Sequence, residues 1–165
     1  MTLRPFLQWP DKRLRTAAER VEAITDEVRQ IWTDMIESMD AMPGVGLGAP
    51  QIGVMLRLAV VDCSDERGQA VRMANPEVLH ASVQLRMHEE ASPNLPGVSA
   101  PIDRPRAVTV RFMDETGETV ERDFVGLWAT SVQHQIDHLN GKMYFDHLSK
   151  VKRDRLIKRA QKLAR

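Results

Sequence analysis

Residues 25–42, TDEVRQIWTDMIESMDAM, constrain the fold more than any other stretch. Val28, Ile31, Trp32, Met35, Ile36 and Met39 recur at the 3.6-residue helical period and form one apolar stripe that has to be buried. Thr25 can cap this helix, and Asp26 and Glu27 complement the positive end of its dipole. Pro43 and Gly44 stop it. A glycine-rich turn, PGVGLGAPQIG, follows; then comes VMLRLAVVD, whose β-branched and apolar residues predict a buried strand.

Further strands are expected in EVLHASVQLRMHE and in the pair RAVTVRFMD and ETVERDFV, which ETG separates as a hairpin turn. Between these regions lies ASPNLPGVSAPIDRP, with Pro93, Pro96, Pro101 and Pro105. So many missing N–H donors exclude a central strand and predict a structured loop or an edge segment. Residues 127–140 predict a second helix, with Gly141 as its C′ residue. A third, basic helix runs from about Ser149 to the end, its apolar positions Val151, Leu156, Ile157, Ala160 and Leu163 only loosely on one face. No repeat or low-complexity linker breaks the 165 residues, so one α+β domain over 1–165 is expected.

The hydrophobic share of 42% and charged share of 28% suit a soluble globular chain. A formal net charge of zero argues against a strong global field for nucleic acid or membrane. That average hides a basic end: Lys150, Lys152, Arg153, Arg155, Lys158, Arg159, Lys162 and Arg165 stand against Asp154 alone. A single cysteine, Cys63, excludes an internal disulfide and reads as a strand-end residue. The start, MTLRPFLQWPDKRLR, is charged and proline-broken, unlike a signal peptide. No apolar run approaches the ~20 residues of a membrane helix, so a cytoplasmic, reducing location is expected.

SVQHQIDHLNG, residues 131–141, places His134 and His138 four apart. Their rings project from one helix face, with Cβ atoms about 6 Å apart, which lets two imidazoles share a tetrahedral metal ion. In the common HExxH arrangement the glutamate between them handles the proton of the attacking water. Here that position is Gln135, an amide. Taken alone, HQIDH favours a partly buried helix that happens to carry two histidines, because the general base is missing.

Three segments in order, GVGLGAPQIG, a proline-rich loop and QHQIDHLNG, resemble the signatures of the peptide deformylases. The family's first segment, GxGLAAxQ, is matched by Gly44, Gly46, Leu47, Ala49 and Gln51, with Gly48 in place of an alanine. Its third, QHExDHLxG, is matched at Gln133, His134, Asp137, His138, Leu139 and Gly141. WPDKRLRTAAERV and FDHLSKVKRDRLIK are also similar to the family, so the resemblance covers nearly the whole chain. It implies a single-domain deformylase-like fold, with mixed or antiparallel strands around a central motif helix and a helix at the C-terminus. It further implies a metal-dependent amidase that removes the N-formyl group from the methionine of nascent polypeptides, a Gly44–Gln51 turn lining the cleft, and a glutamine amide polarising the scissile carbonyl. Gly46 and Gln51 take those roles, and Gly44, Val45 and Pro93 join them along the cleft. A plain helix-to-strand connection would also account for the glycines of that turn.

The family's second segment, EGCLS, supplies the third metal ligand. Aligned on the following PGV, the chain reads EASPN: Glu90 matches, Ala91 replaces glycine, Ser92 replaces the cysteine ligand, and Pro93 and Asn94 replace leucine and serine. A thiol with a pKa of about 8.5 binds metal as thiolate, whereas a serine hydroxyl stays protonated and is a poor neutral ligand. Gln135 cannot accept the proton that a general base takes, a role worth ~10²–10⁴-fold. The expectation is a family member with weak or absent catalysis and no metal at full occupancy; any metal present would be one Fe²⁺, Zn²⁺ or Ni²⁺ on His134, His138 and Ser92. N-terminal (formyl-)methionyl peptides are the expected ligands. An active hydrolase in which Glu89 or Glu90 compensates, and a ribosome-associated protein contacting RNA through the basic helix, are the alternatives. The resemblance gives Glu90 a supporting role; Glu89 reads as a solvated acid, and His80 and His147 as surface or core histidines.

Overall fold

The computed structural model describes residues 3–165; Met1 and Thr2 of the charged start lie outside the described residues. Helix α1 spans Asp26–Ala41, and Thr25 caps it by accepting from the Val28 N–H at 3.2 Å. Of the expected stripe, Val28, Ile31, Trp32, Met35 and Met39 are buried and Ile36 partly so. They pack on Leu47, Leu58, Val60 and Ala74, and the Trp32 indole N–H donates to the Met73 carbonyl at 3.3 Å.

The strands are β1 (Gly46–Gly48), β2 (Leu58–Val61), β3 (Val71–Ala81), β4 (Leu85–Glu90), β5 (Ala100–Pro105), β6 (Ala107–Met113) and β7 (Thr119–Val125). Five form an antiparallel sheet in the order β1-β2-β3-β6-β7, and β4 pairs with β5 in a separate two-stranded ribbon. The β6–β7 hairpin turns at the expected residues, with Asp114 Oδ1 accepting from the Thr116 N–H at 2.9 Å. The proline-rich segment does yield a strand, β5, paired on one side by β4, as an edge position requires. β3 begins at Val71, earlier than the Glu77 start read from the sequence, and its pairing to β6 slips between Ala74 and Glu77. Pro76 sits inside that slip, where its missing N–H is tolerated.

Helix α2 (Gly126–Leu139) lies across both sheets, and its Ala129 and Val132 are buried among Val61, Val110 and Phe124. Gly141 follows at φ +75°, and a Cβ there would meet the Arg15 backbone at 2.7 Å. The chain can leave the helix at this point only with glycine. Helix α3 (Lys150–Leu163) is capped by Ser149 and buries Leu156 and Ala160 against Leu14, Ile102 and Phe145. The α+β class and the expected helices are borne out. Among the described residues no helix is long and apolar enough to cross a membrane.

Candidate active site

α2 sets the site. His134, Gln135 and His138 lie on its buried side, and the two Nε2 atoms approach to 3.1 Å. Glu90, the last residue of β4, meets His134 Nδ1 with Oε1 at 2.7 Å. Arg104 of β5 grips the same carboxylate with its fork, Nε to Oε2 at 2.7 Å and Nη2 to Oε1 at 2.9 Å, and sends Nη1 to Asp137 Oδ2 at 2.9 Å. Asp137 also contacts His147 Nε2 at 2.7 Å. The β4–β5 ribbon is thus tied to α2 through the buried Glu90–Arg104 pair.

Burial disfavours the charged form of Glu90, yet the bonds from His134 and Arg104 outweigh it and hold the carboxyl below its ordinary value. Asp137 is lowered in the same way against its own burial, by His147 and Arg104. With Glu90 ionised, its Oε1 can only accept, so His134 donates to it through Nδ1–H. His138 is driven well below the usual imidazole value by burial and then by His134, so it is neutral. Tyr144 stacks on the His134 ring, 6.1 Å between centroids and 18° between planes.

Ser92 and Gln51 meet beneath the opposite wall. Ser92 Oγ donates to Asn94 Oδ1 at 2.9 Å and accepts from the Asn94 N–H at 3.2 Å and from Gln51 Nε2 at 3.5 Å. Gln51 Nε2 makes its short bond, 2.7 Å, to the same Asn94 oxygen. Above them opens a cavity of about 440 Å³ that Gly44, Val45, Gly46, Gln51, Ser92, Pro93, His134 and Gln135 help to line. His138 is buried and does not line it. A Cβ on Gly46 would collide with the Gln135 amide and with Ser131 Oγ, so the turn's glycine lets α2 approach. No residue of α3 lines the cavity.

The other residues weighed from sequence lie outside the hydrogen-bonded centre. Glu89 is exposed on the cavity rim and accepts from Ser99 Oγ at 2.9 Å, and His80 is exposed on β3. Cys63 sits under the cavity lip with Sγ 3.9 Å from the Val45 carbonyl, and burial, then Asp62, pushes its thiol up to about 11. Sequence reading missed Arg104, Ser131 and Tyr144. Arg104 is hidden in a proline run, and the β4–β5 register sets it opposite Arg86; its reach along the ribbon to Glu90 shows only in the side-chain contacts.

The sequence profile of the polypeptide deformylases matches residues 3–154. The chain belongs to the polypeptide deformylase family. A peptide deformylase of Afipia carboxidovorans is 45% identical, covering all of this chain and 98% of that one. Among solved structures, the peptide deformylase of Ehrlichia chaffeensis in complex with actinonin aligns with a TM-score of 0.93 at 33% identity, over 100% of this chain and 99% of its own. A Met-Ala-Ser-bound peptide deformylase from Acinetobacter baumannii aligns with a TM-score of 0.84 at 29% identity, over 89% and 99%.

Deformylases use a divalent metal. In this deformylase-family chain two imidazoles converge as ligands of such an ion would, and Glu90 orients one of them. On the cavity lining, Ser92 carries a neutral hydroxyl whose hydrogen and lone pairs are already engaged by Asn94 and Gln51. Among the described residues no three His, Cys, Asp or Glu side chains assemble as a metal-binding group.

Proposed function

We propose that this deformylase-family chain binds the N-termini of methionyl peptides in the cleft between β1, α2 and the β4–β5 ribbon, and hydrolyses their N-formyl group weakly or not at all. The observation that carries the reading is the closed hydrogen-bond set of Ser92 with Asn94 and Gln51, where the family keeps a thiolate ligand. Gln135 supports it, since an amide cannot take the proton that a general base takes, a role worth ~10²–10⁴-fold. Neither neighbouring acid is free to replace it: Glu90 is held by Arg104 and His134, and Glu89 faces outward to Ser99. Peptide binding draws support from the cavity's size and from the Met-Ala-Ser-bound relative. A cytoplasmic site of action is the corollary, because the family acts on nascent chains.

The competing reading, an active deformylase with an altered ligand set, is favoured by the 45% identity to a peptide deformylase and by the retained His134–Glu90 pair. Metal content of protein purified without chelator, measured beside turnover of a formyl-methionyl peptide, separates the two. Substoichiometric metal with negligible turnover is expected; one zinc, iron or nickel per chain with sustained turnover overturns the proposal.

A further inference from the structure

The cleft's polar groups are unevenly committed. Both amide hydrogens of Gln51 are taken, by Asn94 Oδ1 at 2.7 Å and Ser92 Oγ at 3.5 Å, while its Oε1 accepts from the Gly48 N–H at 2.9 Å. Ser131 Oγ gives its hydrogen to the Val45 carbonyl at 2.9 Å. These side-chain donors are turned onto protein acceptors. An acceptor, in contrast, remains within a ligand's reach: the Glu89 carboxylate stands exposed at the rim with one oxygen bonded by Ser99 Oγ at 2.9 Å, while Gln135 Oε1, without a partner among the described residues, is buried.

Asn94 is the residue that arranges this. It is fully buried, and its Nδ2 donates to the Leu7 carbonyl at 2.6 Å and the Gln51 carbonyl at 3.1 Å. Those two bonds fix the amide's orientation, so Oδ1 must face Gln51 Nε2. The Trp9 N–H, at 2.8 Å from the Asn94 carbonyl, anchors the backbone as well.

An N-formyl terminus brings one N–H and a carbonyl oxygen that needs a donor. A free amino terminus, with a pKa of about 7.7–8.0, is mostly an ammonium at neutral pH and brings only donors. We infer that Asn94 is a specificity-determining positioning residue: by withdrawing the Gln51 amide it turns the cleft from formyl-capped termini toward free, ammonium-bearing ones. This rests on the reading of the cleft as a peptide-terminus site.

Titration calorimetry with Met-Ala-Ser and formyl-Met-Ala-Ser, at neutral pH with chelator, tests it. The unaltered protein should bind Met-Ala-Ser more tightly. Asn94→Ser, which shortens the side chain and releases Gln51 Nε2, should raise affinity for the formyl peptide about fivefold, the worth of one hydrogen bond, with the Met-Ala-Ser affinity unchanged. Adding Gln51→Leu to that variant should erase the gain. A merely structural role would move both affinities together, and that result, or tighter formyl binding by the unaltered protein, overturns the inference. Should Asn94→Ser fail to fold, the preference of the unaltered protein decides. Failure of both peptides to bind the unaltered protein overturns the peptide-terminus reading as well; tighter formyl binding leaves that reading standing.

Discussion

His134 Nδ1 lies 2.7 Å from Glu90 Oε1, and this contact joins the helix that carries the histidines to the strand that leads into the Ser92 loop. The same carboxylate neutralises Arg104, which is 4% exposed. Removing it leaves a buried guanidinium whose remaining acid partner is Asp137. Breaking a buried pair by deleting one partner costs about 3–5 kcal/mol. Glu90→Ala should lose stability of that order in urea unfolding, and Glu90→Gln less, because its amide oxygen still accepts from Arg104. A loss below about 0.5 kcal/mol for Glu90→Ala would mean that water compensates the pair.

Restoring both departures tests how intact the frame is. Ser92→Cys returns a thiol that can bind as thiolate, and Gln135→Glu returns a carboxylate beside His134. The double variant should take up about one divalent ion per chain by elemental analysis. Its turnover of a formyl-methionyl peptide should exceed that of Ser92→Cys alone by ~10²-fold, the lower bound for a general base. A folded double variant that binds no metal would show that Asn94 and Gln51 hold the loop away from the histidines.

The β2–β3 connection carries the acid-sensitive element of the cleft lip. Asp62, 1% exposed, accepts from the Ser64 N–H at 2.9 Å, Ser64 Oγ at 2.5 Å and the Gln69 N–H at 3.0 Å. Arg67 of this loop reaches the Gly44 carbonyl at 2.8 Å, and the Asp62 N–H donates to the Val45 carbonyl at 3.0 Å. Burial works to raise the Asp62 pKa, but the bonds from Ser64 and Gln69, with Arg67, carry it below 3.8. A carboxyl depressed in the folded state stabilises in full above its unfolded value and loses that contribution as pH falls through the folded one. Asp62→Asn should therefore cost about 1–3 kcal/mol at neutral pH, and the gap to the unaltered protein should close below pH ~4 in denaturant titrations. A gap independent of pH would assign the loss to shape rather than charge.

Much of this was legible in the sequence, for physical reasons that differ by element. α1 has a stripe and a cap, α2 a motif and a C′ glycine, and the β6–β7 hairpin a turn, so local chemistry declares each of them. The histidine pair was legible because helical spacing alone brings His134 and His138 together. What stayed hidden depends on partners distant in sequence. Arg104 reads as one cation in a proline run until its fork is seen to meet Glu90 and Asp137, and Asn94 reads as one more replacement until Leu7 and Gln51 are seen to pin its amide. The short strand β1 lay inside a turn because GLG has no strand propensity; its pairing to β2 and the burial of Leu47 make it a strand.

Gly46 offers the sharpest test of the cleft's geometry. Its backbone lies outside the left-handed region, so alanine is conformationally acceptable there and any effect is steric. The added methyl would press on the Gln135 amide and on Ser131 Oγ, which holds the Val45 carbonyl at 2.9 Å. Overpacking of this kind costs about 1–3 kcal/mol, well within what a folded domain tolerates. Gly46→Ala should therefore remain folded by circular dichroism, with a thermal midpoint lower by several degrees, while its affinity for Met-Ala-Ser falls about tenfold or more. Because the methyl sits where the cavity wall meets α2, an unchanged affinity in a folded Gly46→Ala protein would place the peptide site somewhere other than this cleft.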